Sequence, residues 1–211
     1  DPLARQFIPG VQEQRTLPQE EHDPIGDYAY SPIKGIVHRY PDRVLLKATA
    51  ICAVYCRYCF RREMVGKGDK PLNAAEIQAA LSYIRANPDI REVILTGGDP
   101  FVLSARQLEP IIRALQDIPH LDIIRVHTRV PISDPARIND KICALLTSTN
   151  KALYIILHVN HAQEINAPVL DCIQKLHASG ANLLSQSVLL KGVNDNTDTL
   201  ESLFRLLLKH N

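Results

Sequence analysis

The sequence has no excess of either charge. Its 24 Lys and Arg residues against 23 Asp and Glu leave a formal net charge of +1, too weak a field to argue for nucleic acid or an anionic membrane surface as partner. A long apolar run is also missing. The longest strongly apolar stretch, Ala152 to Val159, is interrupted by His158 and falls far short of the roughly 20 residues that cross a bilayer. No secretory signal pattern opens the chain, and the first residue is Asp1 rather than Met, so the sequence reads as a fragment of a longer chain. Low-complexity segments and internal sequence repeats are absent. Cysteine is scarce: there are five, an odd count, and three of them fall within eight residues. Such clustering argues against a secreted disulfide framework and for a metal centre in a reducing cytosol.

With 211 residues, 45% of them apolar and 22% charged, the chain has the size and composition of one globular α/β domain. Residues 1–43 are rich in Pro, Gln, Glu and Asp without a sustained period, and read as an irregular N-terminal arm. From Val44 onward strand and helix signals alternate. Strands are predicted at 44–51, 92–95, 122–127, 152–159 and 182–190, and helices at 73–86, 104–115, 135–146, 164–179 and 197–209. Asn73 and Ser104 are suitable N-caps, and Gly180 suits the C′ position after the fourth helix. Strand-helix units of about 30 residues each point to a parallel sheet with helices outside. A doubly wound open sheet would gather its site at one crevice. A barrel collects functional residues at the C-terminal ends of its strands. Here Cys52, Gly97-Gly98-Asp99, His127 with Arg129, and His158 with Asn160 each follow a different predicted strand. The expected fold is an α/β partial barrel over residues 44–211, with about five to six parallel strands.

The segment Cys52-Ala53-Val54-Tyr55-Cys56-Arg57-Tyr58-Cys59 has the spacing CxxxCxxC and directly follows the first predicted strand. Three thiols packed by chance in a core would not be expected among tyrosines and arginines. Structural zinc takes four protein ligands in a closed site. The remaining cysteines, Cys143 and Cys172, fall on apolar faces of predicted helices and read as core residues. Three thiolates from one short loop suit a cubane iron–sulfur cluster with one iron left without a protein ligand, and an open iron is where a reactive cofactor binds.

This spacing, with the aromatic Tyr58 before the last cysteine, resembles the radical S-adenosylmethionine superfamily. The resemblance implies a [4Fe-4S] cluster on Cys52, Cys56 and Cys59 whose open iron chelates S-adenosylmethionine, and a 5′-deoxyadenosyl radical formed by reductive cleavage. Thr96-Gly97-Gly98-Asp99-Pro100, by itself an ordinary turn, is similar to the superfamily's GGE-type loop. There two glycines let backbone carbonyls approach a ligand ammonium, and Asp99 adds a negative charge. Further blocks are His38-Arg39-Tyr40-Pro41-Asp42-Arg43-Val44, Cys56 to Arg62, His127 to Pro131, His158-Val159-Asn160-His161, and Gln186 to Asp195. Together, from near Asp23 to the C-terminus, they look like the lysine 2,3-aminomutase family. That family includes free-lysine mutases, glutamate 2,3-aminomutases and the enzymes that make β-lysine for elongation factor P.

The family resemblance implies pyridoxal 5′-phosphate as a second cofactor, its phosphate held by Arg39 and Arg43 with Tyr40 beside them, since guanidinium groups suit a dianion. It implies a substrate-carboxylate role for Arg61, and places Tyr58, Gly97, Gly98, Asp99, His158 and Gln186 around S-adenosylmethionine. The implied reaction moves the amino group of an L-amino acid, lysine first among the candidates, from C2 to C3. Its partners would be the amino acid and an electron donor such as flavodoxin or ferredoxin, in the cytoplasm, and homo-oligomeric assembly is compatible with it. The family's Schiff-base lysine and its acidic residues for the substrate ammonium lie in a later segment, so no Schiff-base residue is assigned within this chain. A non-catalytic iron–sulfur or zinc protein on the same scaffold would need neither Gly97-Gly98-Asp99 nor Gln186. A radical enzyme without pyridoxal phosphate would not need Arg39, Tyr40 and Arg43.

Anaerobic reconstitution with iron and sulfide is expected to load about four irons per chain with a broad visible absorption shoulder. Cys52→Ala, Cys56→Ala and Cys59→Ala should each abolish that loading. Stoichiometric zinc without iron in protein purified away from oxygen would contradict the cluster assignment.

Overall fold

Alternation along the strands divides the molecule into an outer apolar layer and an inner polar face. In the strand Arg43–Thr49, Val44, Leu46 and Ala48 enter the buried core, whereas Arg43, Leu45 and Lys47 point the other way. The next strands, Glu92–Gly97, Ile123–Thr128 and Ala152–His158, send Val93 and Leu95, Ile124 and Val126, and Leu153, Ile155 and Leu157 into the same core. Their opposite faces carry Thr96, Arg125, His127, Tyr154 and His158. A parallel strand buried on both sides is normally apolar throughout, so this polar face marks the side where a ligand belongs.

The structure, a computed structural model, describes residues 1–15, 17–66 and 71–210. Its strands are β1 (Ile36–Tyr40), β2 (Arg43–Thr49), β3 (Glu92–Gly97), β4 (Ile123–Thr128), β5 (Ala152–His158) and β6 (Asn182–Gln186). The helices are α1 (Ala74–Ala86), α2 (Ala105–Gln116), the single turn α3 (Val130–Ser133), α4 (Asp140–Thr147), α5 (Ala167–Ala178) and α6 (Thr197–His210). The apolar stripes of α1, α2 and α5 include Leu81 and Ile84, Ile111 and Leu115, and Ile173 and Leu176, and they pack on the outward strand residues. Cys172 is buried in that core, while Cys143 is half-exposed and packs against its border.

All six strands form one sheet in the order β1-β2-β3-β4-β5-β6, with β2 to β6 parallel. Strictly sequential order with no reversal is the topology of a partial barrel; a doubly wound sheet reverses at its switch point. The strand β1 is an addition to the sequence expectation. It lies within the segment read as irregular and pairs antiparallel with β2 across the two-residue turn Pro41-Asp42. Its register slips between Val37 and Tyr40, so the polar–apolar alternation that signals a strand is broken there.

Other boundaries move for local reasons. The expected helix 135–146 starts only at Asp140, because Asn139 caps it by accepting from Lys141 and Ile142 backbone N–H groups. The helix expected from Glu164 starts at Ala167 behind the cap Asn166, which frees Glu164 for other use. The last strand ends at Gln186 rather than Leu190, since Asn194 accepts from the Leu190 N–H and donates to the Val188 and Asn160 carbonyls, fixing a turn. At α1, Asn73 and Glu76 form the reciprocal capping pair, as the sequence suggests for Asn73.

Gly97 and Gly98 are required by this architecture before any ligand is considered. Gly97 has φ +116°, and a Cβ there would lie 2.5 Å from the Thr49 carbonyl oxygen. A Cβ on Gly98 would lie 2.6 Å from the Ile51 nitrogen, closer still to its oxygen. The obstacle in both cases is backbone, which does not yield as a side chain would. Gly98→Ala is therefore expected to destabilise the fold by about 3 kcal/mol through overpacking, measured as a lower denaturant midpoint. An unchanged midpoint would mean that the two strand ends separate easily.

Candidate active site

The cysteine loop begins three residues after β2 and stands over the C-terminal end of the sheet. Cys52, Cys56 and Cys59 are unpaired thiols, all half-buried. Burial pushes the Cys52 thiol up to about 12, with further increments from Asp99 and from the other two cysteines. Burial also raises Cys56, against the guanidinium of Arg129. Raised in this way, Cys52 and Cys56 would be held as thiolates by a bound metal. Among the described residues, no three His, Cys, Asp or Glu side chains are drawn together as a single-ion site.

Asp99, expected to offer its charge to a ligand, spends it on the fold. It is 5% exposed, and its carboxylate accepts from the Thr128 hydroxyl at 2.7 Å and from the backbone N–H groups of Phe101, Arg129 and Val130 at 3.1, 2.6 and 3.1 Å. These bonds tie the end of β3 to the end of β4. Burial raises the Asp99 carboxyl above its usual range even though all four donors favour the ionised form.

Tyr58 is held by residues from two strand ends. Its phenol oxygen accepts from Asn160 Nδ2 at 2.6 Å and from Arg129 Nη1. Arg129, 6% exposed, also pairs with Glu164. The Glu164 carboxylate accepts from the Asn160 and His161 backbone N–H groups. Two histidines lie nearby on the inner face. His158 Nε2 is 3.4 Å from His127 Nδ1, their rings meeting edge to face. Burial brings both down to about 4, helped at His127 by Arg125 and at His158 by His127. Both are neutral at physiological pH. Gln186 lies opposite His158 in the β5–β6 register. His127 Nε2 is buried without a protein partner among the described residues.

Arg61 lies 12% exposed with its Nε 2.7 Å from Asp27 Oδ2, and Lys47 Nζ approaches the same oxygen at 3.7 Å. Burial lowers the Lys47 ammonium, and Asp27 opposes that shift. Lys47, Thr49 and Gly97 line a cavity of about 820 Å³ whose other walls include Tyr28, Lys34 and Glu76. The arginines expected to bind phosphate are spread along the β1–β2 hairpin. Arg39 donates to the Ile25 carbonyl and stacks on Tyr30 at 4.5 Å. Arg43 pairs with Asp42 at 2.6 Å and with Glu92 at 3.5 Å, and lies 5.9 Å over the ring of exposed Tyr40. Glu92 also pairs with Arg125.

The structure thus gathers Cys52, Cys56, Cys59, Tyr58, Gly97, Gly98, His158 and Gln186 at the C-terminal end of the sheet, and sets Arg43 at the opposite end of β2. Sequence reasoning passed over Gln6, Asp27, Lys47, Arg125 and Glu164. Lys47 and Arg125 left a readable signal, each a lone charge inside an otherwise apolar strand. Gln6, Asp27 and Glu164 left none, because their partners are distant in sequence.

The Radical SAM superfamily matches residues 46–206, from within β2 almost to the end of α6. A protein of Buchnera aphidicola subsp. Baizongia pistaciae named L-lysine 2,3-aminomutase is 39% identical over 211 residues, covering all of this chain and 62% of that one. Proteins of the same name from Haemophilus influenzae and Clostridium subterminale are 42% and 38% identical, over 86% and 99% of this chain and 53% and 50% of theirs. The chain spans half to three-fifths of the length of these relatives. A three-cysteine loop over the open end of a partial barrel, and a family match that runs through almost every strand and helix beneath it, lead to one conclusion: the chain belongs to the radical SAM superfamily.

Proposed function

We propose that this chain is the cluster-bearing part of a radical aminomutase that moves an amino group from C2 to C3 of an L-amino acid, with lysine the first candidate. Identity of 35–42% to proteins named lysine 2,3-aminomutase supports that choice. Placement of Arg61 carries it. The side chain follows Cys59 by two residues, and Asp27 takes the Nε edge of its guanidinium. The Nη1–Nη2 edge is left for a substrate carboxylate, which a planar fork binds better than a point charge does.

The cysteine loop and the strand ends around it fit the cluster and S-adenosylmethionine that such a reaction uses. Three half-buried thiols on one loop suit three irons of a cubane. When bound, the cluster and S-adenosylmethionine supply a one-electron cleavage yielding a primary radical, and pyridoxal phosphate supplies a carbonyl through which an amino group can be carried. The protein contributes position and dryness. Neutral His127 and His158 with Gln186 offer uncharged hydrogen-bonding groups beside the cysteine loop, and the unsatisfied Nε2 of His127 calls for a polar ligand. Arg39, Tyr40 and Arg43 would hold the phosphate. Arg43 already has two carboxylate partners, which favours as a second reading a radical enzyme without pyridoxal phosphate. Intact protein that retains about one equivalent of the cofactor after dialysis would dismiss that reading, and retention of none would favour it.

Arg61→Lys keeps the charge and loses the fork. A charged hydrogen bond is worth about 1.5–3 kcal/mol, so turnover efficiency of the intact protein should fall roughly tenfold or more. Arg61→Ala should lose more with its iron content unchanged, and cleavage of S-adenosylmethionine without substrate should persist in both variants. Parental turnover by Arg61→Ala on lysine and other amino acids would remove the carboxylate role.

A further inference from the structure

Gln6 belongs to the N-terminal arm, 46 residues before Cys52 in the chain, yet it is 0% exposed. Its side chain is fully engaged. Oε1 accepts from Arg129 Nη2 at 2.8 Å and from Asn160 Nδ2 at 2.9 Å, and Nε2 donates to Glu164 Oε1 at 3.2 Å. The two side chains that donate to Gln6 are the same two that donate to the phenol oxygen of Tyr58. Tyr58 itself lies in the cysteine loop, two residues after Cys56 and directly before Cys59. On the next residue of the arm, the Phe7 ring lies 4.9 Å from the guanidinium carbon of Arg129. The cysteine loop grips the arm from its own side. The Arg57 N–H donates to the Gln6 carbonyl at 2.9 Å, and the Arg57 guanidinium reaches the Arg5 carbonyl and Glu13 at 2.7 and 2.6 Å.

We infer that Gln6 is a positioning residue for the cluster: it orients Arg129 and Asn160 so that they fix the Tyr58 phenol within the loop that carries Cys56 and Cys59. The inference rests on the reading of Cys52, Cys56 and Cys59 as cluster ligands. Its physical content is electrostatic. Donors on the phenol oxygen polarise the O–H bond, and a polarised O–H dipole fixed in the loop of ligating sulfurs stabilises the more negative, reduced cluster. A residue that merely anchored the arm would need no link to the phenol.

The test is the reduction potential of the reconstituted cluster, measured anaerobically in the intact protein without S-adenosylmethionine. Tyr58→Phe removes the hydroxyl and should shift the potential negative. Gln6→Met keeps the bulk, removes the hydrogen bonds and should shift it in the same direction, with about four irons retained. The double variant should move no further than Tyr58→Phe alone, since the two act through one path. Additive shifts, or a parental potential in Gln6→Met, would overturn the inference. If Gln6→Met loses iron, Phe7→Leu decides instead. It removes only the ring over Arg129, and should give a smaller negative shift that is absent when Tyr58 is already Phe; no shift would overturn the inference. A parent protein that assembles no four-iron cluster would instead remove the ligand assignment on which all of this rests.

Discussion

Each parallel strand meets helices on one side and an open interior on the other, and the rest of the molecule follows from that division. Outward residues are apolar until the strand ends, where Thr128 and Ser185 share that face. Inward ones are free to carry charge, but a charge leaving water must find a partner. The interior meets that demand with carboxylates placed at successive heights. Glu92 lies between Arg43 and Arg125 where the strands begin, Asp27 between Arg61 and Lys47 further up, and Glu164 against Arg129 where the strands end. Removing one member of a buried pair costs about 3–5 kcal/mol, so these side chains keep their places without a ligand. A site built this way arrives preorganised.

The fold was legible because period and punctuation agree over most of the chain. Val44 to Thr49 and Ile123 to Thr128 alternate, Asn73 caps its helix, and Gly180, with φ +83°, closes α5. Where legibility failed, a side chain was recruited by a partner far away. Glu164 looks like the start of a helix, and its carboxylate instead holds Asn160, His161 and Arg129. The arm looks irregular because its order comes from contacts with residues more than a hundred positions later, as Gln6 does with Arg129 and Asn160. Local pattern does not encode such pairings.

The candidate site divides in the same way. CxxxCxxC is a local signature, so its three thiols could be named from sequence. Gly98 and Asp99 carry structural duties that the sequence did not announce. Gly98 makes room for the Ala50–Ile51 backbone, and Asp99 pins β4 to β3. Both act on the ground beneath the cysteine loop. Arg61, read as a fork for a ligand, proves to be half-committed to Asp27, a residue that no sequence motif singles out.

The antiparallel hairpin at the start of the sheet has a consequence for the molecule among its neighbours. A parallel sheet that began at β2 would expose a seven-residue edge rich in Val, Leu and Ala, with unpaired N–H and C=O groups ready to recruit a strand from another chain. Instead the edge is β1, five residues long, irregular in register, and carrying His38, Arg39 and exposed Tyr40 in its second half. Short length, a break in register and a charged side chain all disfavour edge-to-edge pairing. The segment that looks least like structure in the sequence thus covers the β2 edge of the sheet and puts in its place an edge poorly suited to pairing with another chain.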